Sequence, residues 1–91
     1  VQAHLTAQEA INRGKILGAI CIAPTILAYA GVLEGKKVTV WNQDGKQAEI
    51  LTKNGAEFVD EMVVVDGKIV TANGPPAAEA FGKKILEMLK E

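Results

Sequence analysis

The 91-residue sequence predicts an α/β fold with a mostly parallel sheet, and two observations support this prediction. Short apolar runs typical of strands buried on both faces, at 16–21 and 37–41, alternate with helical segments. Nearer the end, an Asp-Gly dipeptide separates the β-rich runs 62–65 and 68–71. Asp-Gly is a strong turn signal, so these two runs are predicted to form one antiparallel hairpin.

The segments around the first two runs have helix boundaries. Thr6 and Glu9 fit a capping box, and Gly14 follows the end of the predicted helix. That helix starts either at the capping box or before it, with residue 1 already inside. A second helix is predicted over 23–30, with a proline in its first turn and Gly31 as its stop signal.

The rest of the chain continues the alternation. A short helix is predicted over 46–53, ended by Asn-Gly, and a brief strand over 57–59. Gly74 and two prolines open the last helix, in which apolar residues follow one face. We interpret this stripe as core packing in preference to a partner groove; it comprises Ala77, Phe81, Ile85 and Leu89.

The predicted elements are too few for a complete fold. A parallel sheet needs helices on both faces and enough strands for those helices to cover. Two parallel strands and a hairpin do not meet that requirement. On physical grounds alone, the sequence indicates part of a larger domain.

Composition narrows the classes of function. The chain is 48% hydrophobic and 23% charged with a net charge of −1, which predicts a folded protein. No basic stripe indicates a nucleic-acid or membrane partner. One cysteine without a Cys/His cluster predicts no disulfide, no metal site and a reducing, cytoplasmic setting. The uncharged stretch 16–33 is interrupted by glycine and proline, so we interpret it as core and not as a membrane span.

The candidate reactive residue is Cys21, between a predicted strand and a predicted helix. Strand–turn–helix nucleophiles occupy this position. Unpaired amides and the helix dipole stabilise a thiolate there, and the amide of Ile22 is a candidate donor to an oxyanion or an oxidised sulfur. Ala23 is small enough to let the helix pack close to the strand. The alternative is that Cys21 is a buried, unreactive core residue.

The amino-acid sequence resembles the sequences of the ThiJ/PfpI superfamily. The similarity includes the cysteine segment 19–28, the following segment 30–39 and the hairpin segment 63–71. It continues through Gly74 and its proline into the last helix with Phe81. These motifs occur in the family's order and spacing and extend over essentially the whole chain.

The resemblance implies a flavodoxin-like three-layer α/β/α sandwich, of which residues 1–91 are the C-terminal half. The N-terminal half of the same domain would then be the partner of this chain. That half is either another chain or has been removed. In the family that half supplies an acidic residue that hydrogen-bonds the cysteine and a glycine-containing oxyanion loop. The resemblance also implies a small-molecule substrate, no cofactor and a homo-oligomer. An isolated half would expose a sheet edge and need its complement for solubility.

This chain lacks histidine at the positions where the family carries it. Protease-like relatives place a histidine directly after the cysteine, where this chain has Ile22. Deglycase-like relatives place one after the next strand, at the position of Trp41. Peptide hydrolysis is therefore disfavoured, while addition to an activated carbonyl remains open. His4 lies outside the motif and is assigned no catalytic role. Trp41 is interpreted as core or pocket wall, and Gly74 as shaping a loop near the site.

Three functions remain open at this point. The first is an enzyme whose thiolate adds to a reactive aldehyde or acyl carbon, as in glyoxalase, deglycase or hydrolase relatives. The second is a redox sensor or chaperone-like protein that works through oxidation of Cys21. In the third, Cys21 is inert. Relatives also carry the labels intracellular protease and thiazole-biosynthesis protein, and the residues give neither label independent support.

Overall fold

The computed structural model describes residues 8–43 and 45–90, in which helices and strands alternate. The helices are α1 (8–12), α2 (Pro24–Tyr29), α3 (Lys46–Lys53) and α4 (Ala78–Leu89), and a 3₁₀ turn over Pro75–Ala77 leads into α4. The strands are β1 (Leu17–Ile20), β2 (Lys37–Val38), β3 (Glu57–Phe58), β4 (Val63–Asp66) and β5 (Ile69–Ala72). The predicted capping box at Thr6 lies outside the described residues.

The strands form a three-stranded sheet and a short pair. In the sheet, β5 is central, with β1 parallel on one side and β4 antiparallel on the other. The pair consists of β2 and β3, which are parallel. The predicted α/β architecture with parallel strands and one antiparallel hairpin is confirmed. Within the described residues β1 pairs with β5 alone, so β1 is an edge strand.

Helices cover both faces of the three-stranded sheet. A Cβ atom added at Gly18 in β1 would lie 3.1 Å from Phe81 Cζ and Ile85 Cδ1, so α4 packs closely on that face. The next residue, Ala19, belongs to the core cluster that includes Leu27 of α2. Successive strand residues point to opposite faces, so α2 and α4 lie on opposite sides of the sheet. This is a helix–sheet–helix layering.

The strand predicted over 37–41 is shorter than expected. Only Lys37 and Val38 pair with β3. Beyond them, the Thr39 amide donates to Thr71 Oγ1 at 2.9 Å, and the Trp41 amide donates to the Cys21 carbonyl at 2.8 Å. These two hydrogen bonds lie on the side of the segment away from β3, as does the bond of the Lys37 amide to Asp66 within the paired residues. The same bonds bring the end of β2 to Cys21.

The hairpin is confirmed, but its turn is displaced by one residue. Asp66 is paired with Ile69 in the sheet, so the two-residue loop consists of Gly67 and Lys68. Gly67 has φ 61°, a conformation that glycine adopts without strain. The Asp66 carboxylate, predicted to belong to the turn, accepts a hydrogen bond of 2.8 Å from the Lys37 amide instead. It thereby joins β4 to the start of β2.

Two predictions of burial were wrong. β1 was expected to be buried on both faces, yet Ala19 is its one buried residue, because the strand lies at an edge. The apolar stripe of the last helix was expected to be core throughout. Ala77 is buried and Phe81 and Ile85 are half-buried, but Leu89 is 66% exposed, since the end of α4 extends past the sheet it covers.

Helix boundaries agree closely with the sequence. α3 has the predicted residues, and Asn54 follows it as expected. The first helix gives way to a turn at 13–14, and α2 lies within the predicted 23–30. None of the described helices is long and apolar enough to cross a membrane.

Candidate active site around Cys21

Cys21 lies in the turn between β1 and α2 with a left-handed backbone conformation. Its φ is 65°, and no other non-glycine residue in 8–43 and 45–90 has a positive φ. A side chain in this conformation costs about 1–2 kcal/mol relative to the right-handed region. Backbone strain of this kind is concentrated at functional sites, where the surrounding structure must hold it in place.

Hydrogen bonds on both sides hold the strained turn. The Cys21 amide donates to the Ala72 carbonyl of β5 at 3.0 Å, and the Cys21 carbonyl accepts the Trp41 amide. The Ala23 amide closes the turn onto the Ile20 carbonyl at 3.2 Å. The cysteine backbone is therefore tied to two neighbouring segments of the fold. None of these three bonds depends on the thiol, which leaves the side chain available for chemistry.

The residue after the cysteine supplies a free amide. Thr25 donates to the Ile22 carbonyl through both its amide (2.9 Å) and its hydroxyl (2.7 Å). The Ile22 amide itself makes no hydrogen bond within the described part of the chain. Its side chain is 48% exposed. An unpaired N–H next to the reactive residue is the kind of donor that stabilises developing negative charge on oxygen.

The thiol of Cys21 is free and half-buried. Within 8–43 and 45–90, no hydrogen bond joins it to another group, and no side chain there is bonded to it as a base. His4 lies outside the described residues. The interpretation of Cys21 as a fully buried core residue does not match its exposure. Any acid or base that assists the thiol must come from elsewhere.

A cavity of about 360 Å³ is linked to the cysteine turn through Trp41, which lines it and whose amide donates to the Cys21 carbonyl; Cys21 is not among the described lining residues. It contains two of the three predicted pocket residues, Trp41 and Gly74. Gly74 has φ 148°, and a Cβ atom added there would lie 3.6 Å from Trp41 Cδ1. Ala23, the third, does not line this cavity and packs against the core cluster. The remaining lining residues are Val40, Asn42, Gln43, Asp60, Asn73, Pro75 and Pro76.

The polar lining residues had not been assigned a role from the sequence. Asn42 follows the segment that begins with β2, Asp60 follows β3, and Asn73 follows β5. The carboxyl ends of parallel strands are where α/β folds place their ligands. That rule was the available signal. The rule can be applied to these three residues only when it is known which strands are neighbours.

A sequence model of the DJ-1/PfpI family matches residues 2–88, nearly the whole chain. The chain belongs to the DJ-1/PfpI family. The ThiJ/PfpI resemblance of the cysteine and hairpin segments is confirmed by this match, and with it the flavodoxin-like α/β/α fold.

Curated relatives are similar over most of this chain but over less than half of their own length. An uncharacterized protein of Methanocaldococcus jannaschii is 42% identical, over 92% of this chain and 40% of the relative. Protein/nucleic acid deglycase 2 of Escherichia coli is 39% identical, with 90% and 46% covered. A glutathione-independent glyoxalase of Caenorhabditis elegans is 30% identical, with 88% and 41% covered.

A solved structure shows a similar coverage. A ThiJ/PfpI domain protein from Brachyspira murdochii superposes with a TM-score of 0.89 at 30% sequence identity. The match covers 97% of this chain and 49% of that protein. The folded unit around Cys21 therefore corresponds to about half of the chain in this relative.

Proposed function

We propose that this chain carries the reactive cysteine of an enzyme whose thiolate adds to a reactive aldehyde or acyl carbon of a small molecule. The observation that supports this most directly is the strained Cys21 next to an unpaired Ile22 amide. The similarity to relatives named deglycase and glyoxalase supports an enzyme of this general type. No cofactor enters the proposal.

The proposed step uses two groups of this chain. The Cys21 sulfur forms a bond to the carbonyl carbon, and the carbonyl π electrons move to oxygen. The Ile22 N–H then donates a hydrogen bond to that oxygen, which lowers the energy of the charged adduct. A donor outside the described residues protonates the oxygen. Peptide hydrolysis has less support, because Ile22 and Trp41 stand at the two positions where relatives carry a histidine. A histidine partner for the thiol would have to come from another position.

We propose further that residues 1–91 form the C-terminal half of one domain, completed by an N-terminal half. Within the described residues one edge of β1 is unpaired, and three apolar side chains of the cysteine turn and α2 are exposed, those of Ile22, Ile26 and Tyr29. Unpaired edges and apolar stripes are surfaces that proteins normally cover. The missing half would also supply the acidic partner of the thiol. In this proposal the completed protein is a cytoplasmic homo-oligomer.

The completion by a second half can be tested by size. We expect the 91-residue chain on its own to associate or precipitate, and to become monodisperse when produced with a complementary half. Light scattering after size-exclusion chromatography distinguishes these states. A soluble, monodisperse monomer of the 91-residue chain would contradict the proposal.

The enzymatic role is tested by substitution of the thiol in the complete assembly. Cys21→Ser keeps nearly the same volume but is a much weaker nucleophile, so consumption of methylglyoxal is expected to fall to background. An unchanged unfolding midpoint would show that the fold is intact. A variant that keeps the wild-type rate would refute thiolate catalysis. Because Cys21 is the single cysteine of the chain, iodoacetamide and intact mass report its reactivity directly.

A second candidate function is redox sensing. It is favoured by the absence, within the described residues, of any base bonded to the thiol, together with the free Ile22 amide. Mild peroxide is then expected to add two oxygen atoms at Cys21 and stop at the sulfinate. Intact mass would count the added oxygens. A thiol that oxidises no faster than free cysteine would count against this function.

A further inference from the structure

The charge that the described residues contribute to the cavity beside Trp41 is negative. Among the described residues that line it, Asp60 is the one charged side chain. Three carboxamides, Asn42, Gln43 and Asn73, contribute further polar atoms, and no lysine or arginine within 8–43 and 45–90 lines the cavity. The aromatic wall is the indole of Trp41. This composition repels anionic ligands and provides acceptors for a cation.

The backbone around the acidic residue is ordered by its own hydrogen bond. The Glu61 amide donates to the Val59 carbonyl at 2.9 Å, which closes a tight turn with Asp60 at its centre. Asn73, on the other side, is held by the donation of its amide to the Met62 carbonyl at 3.0 Å. Asp60 is exposed and able to meet a ligand from solvent. Its position is therefore set by the backbone, while its carboxylate remains open.

The carboxamide side and the aromatic wall are also fixed. Asn42 Oδ1 accepts the Ala48 amide of α3 at 2.9 Å, which orients that side chain. The Trp41 backbone is bonded to Cys21, and its indole lies close to Gly74. A cation over an indole face is attracted by the negative face of the ring. A positively charged nitrogen in this cavity would be attracted by both the indole and the carboxylate, which line the same cavity.

We propose that this cavity, which Trp41 links to the Cys21 turn, binds a protonated primary amine. The proposal extends the proposed function by naming the substrate class: an aldehyde or acyl compound that carries an ammonium group. It rests on the proposed function for the reacting carbonyl, but not for the binding of the amine. Asp60 is in this view a specificity-determining residue, and Trp41 a wall of the subsite.

The binding test uses a simple amine and the single tryptophan. In the complete assembly with Cys21→Ser, so that no covalent step occurs, the Trp41 indole N–H is followed by NMR with ¹⁵N label. Butylammonium is expected to give a saturating shift, whereas butyrate gives none and butanol a smaller one at matched concentration. Butanol that shifts the signal as much as butylammonium would overturn the proposal. So would the absence of any shift, as would be found if another segment fills the cavity.

Two neighbouring carboxylates supply a matched pair of variants. Asp60→Asn removes the charge within the cavity and is expected to weaken butylammonium binding roughly two- to fivefold, the range for exposed ion pairs. Glu61→Gln removes an adjacent charge that does not line the cavity, and binding is expected to stay unchanged. Equal effects of the two substitutions would assign the attraction to the general field of the protein and contradict the proposal.

An activity comparison separates this proposal from the proposed function. Aminoacetaldehyde and glycolaldehyde have similar size but differ in charge, and we expect the cationic aldehyde to react with the lower KM. Amine binding without reaction of either aldehyde would support the subsite and refute the enzyme. Reaction of both with equal KM, without amine binding, would keep the enzyme and refute the subsite.

Discussion

The adjacent strands β1 and β5 lie in one sheet and have very different surroundings. All four residues of β5 are buried, whereas in β1 only Ala19 is. The two strands are similar in apolar content, so composition does not explain the difference. The number of neighbours does: β5 is paired on both sides and β1 on one. Cys21 thus follows directly after β1, the less buried strand. The carbonyl that binds its amide belongs to β5, the more buried strand.

This contrast assigns different tasks to the two strands. β5 gives stability, and through the Ala72 carbonyl it anchors the Cys21 amide. β1 and the turn after it are where the chain remains open to a ligand or to another half. Stability is known to be uneven across proteins, with binding segments drawn from the less stable part. Substitutions in paired positions can test whether the same holds here.

The largest expected difference is between Ile69 and Leu17, which are direct partners in the parallel ladder. Ile69 is 2% exposed, and Ile69→Ala is expected to lower the free energy of unfolding by about 2–5 kcal/mol. Leu17 is half-buried at the edge, so Leu17→Ala should cost clearly less, because less apolar surface is lost. Urea denaturation of both variants measures the difference.

The comparison becomes sharper when the edge is covered. If a complementary half pairs with β1, Leu17 becomes more buried and the cost of Leu17→Ala should rise towards that of Ile69→Ala. Equal costs in any soluble form that leaves the edge of β1 uncovered would show that the edge position does not weaken β1, and the contrast between the strands would be lost.

A second, smaller effect concerns the contact between β1 and α4. Gly18→Val places branched carbons where a Cβ atom alone would lie 3.1 Å from Phe81 and Ile85, and overpacking of this kind costs about 1–3 kcal/mol. Gly82, within α4, has no atom within 4 Å of such a Cβ. Gly82→Ala should therefore stabilise the helix by about 1 kcal/mol.

Thermal unfolding of the two glycine variants gives opposite signs if the packing is as described. Should Gly18→Val leave the midpoint unchanged, α4 would have to be free to move away from β1. That result would mean that α4 belongs to the open region around β1 and not to the stable region around β5.

Local features of the fold were predictable from the sequence, and neighbour relations were not. The boundaries of α3 at 46–53 follow from its own residues and the Asn-Gly after them. The burial of β1 and the hydrogen bond of Asp66 to the Lys37 amide depend on which strands lie next to each other. A single sequence specifies those neighbours only weakly, so both predictions failed although the strands themselves were recognised.

The same distinction applies to the candidate site. Cys21 was identified because a strand, a cysteine and a helix follow one another along the chain, which is a local pattern. Asp60 and Asn73 were missed, because they approach Trp41 only through the arrangement of three strand ends. The left-handed conformation of Cys21 also escaped prediction, since a cysteine carries no preference for it and the constraint comes from Ala72 and Trp41.

The smallest expected effect probes that conformation. Glycine adopts φ 65° without the steric cost that a Cβ atom brings, so Cys21→Gly should be more stable than Cys21→Ala by about 1 kcal/mol. Both variants lack the thiol, so the difference isolates backbone strain from chemistry, and denaturant midpoints measured side by side provide it. If the alanine variant is equally stable or more stable, the turn relaxes freely and β5 does not hold it. A clear advantage for glycine would mean that the central strand keeps the cysteine in its strained conformation at the open edge of the sheet.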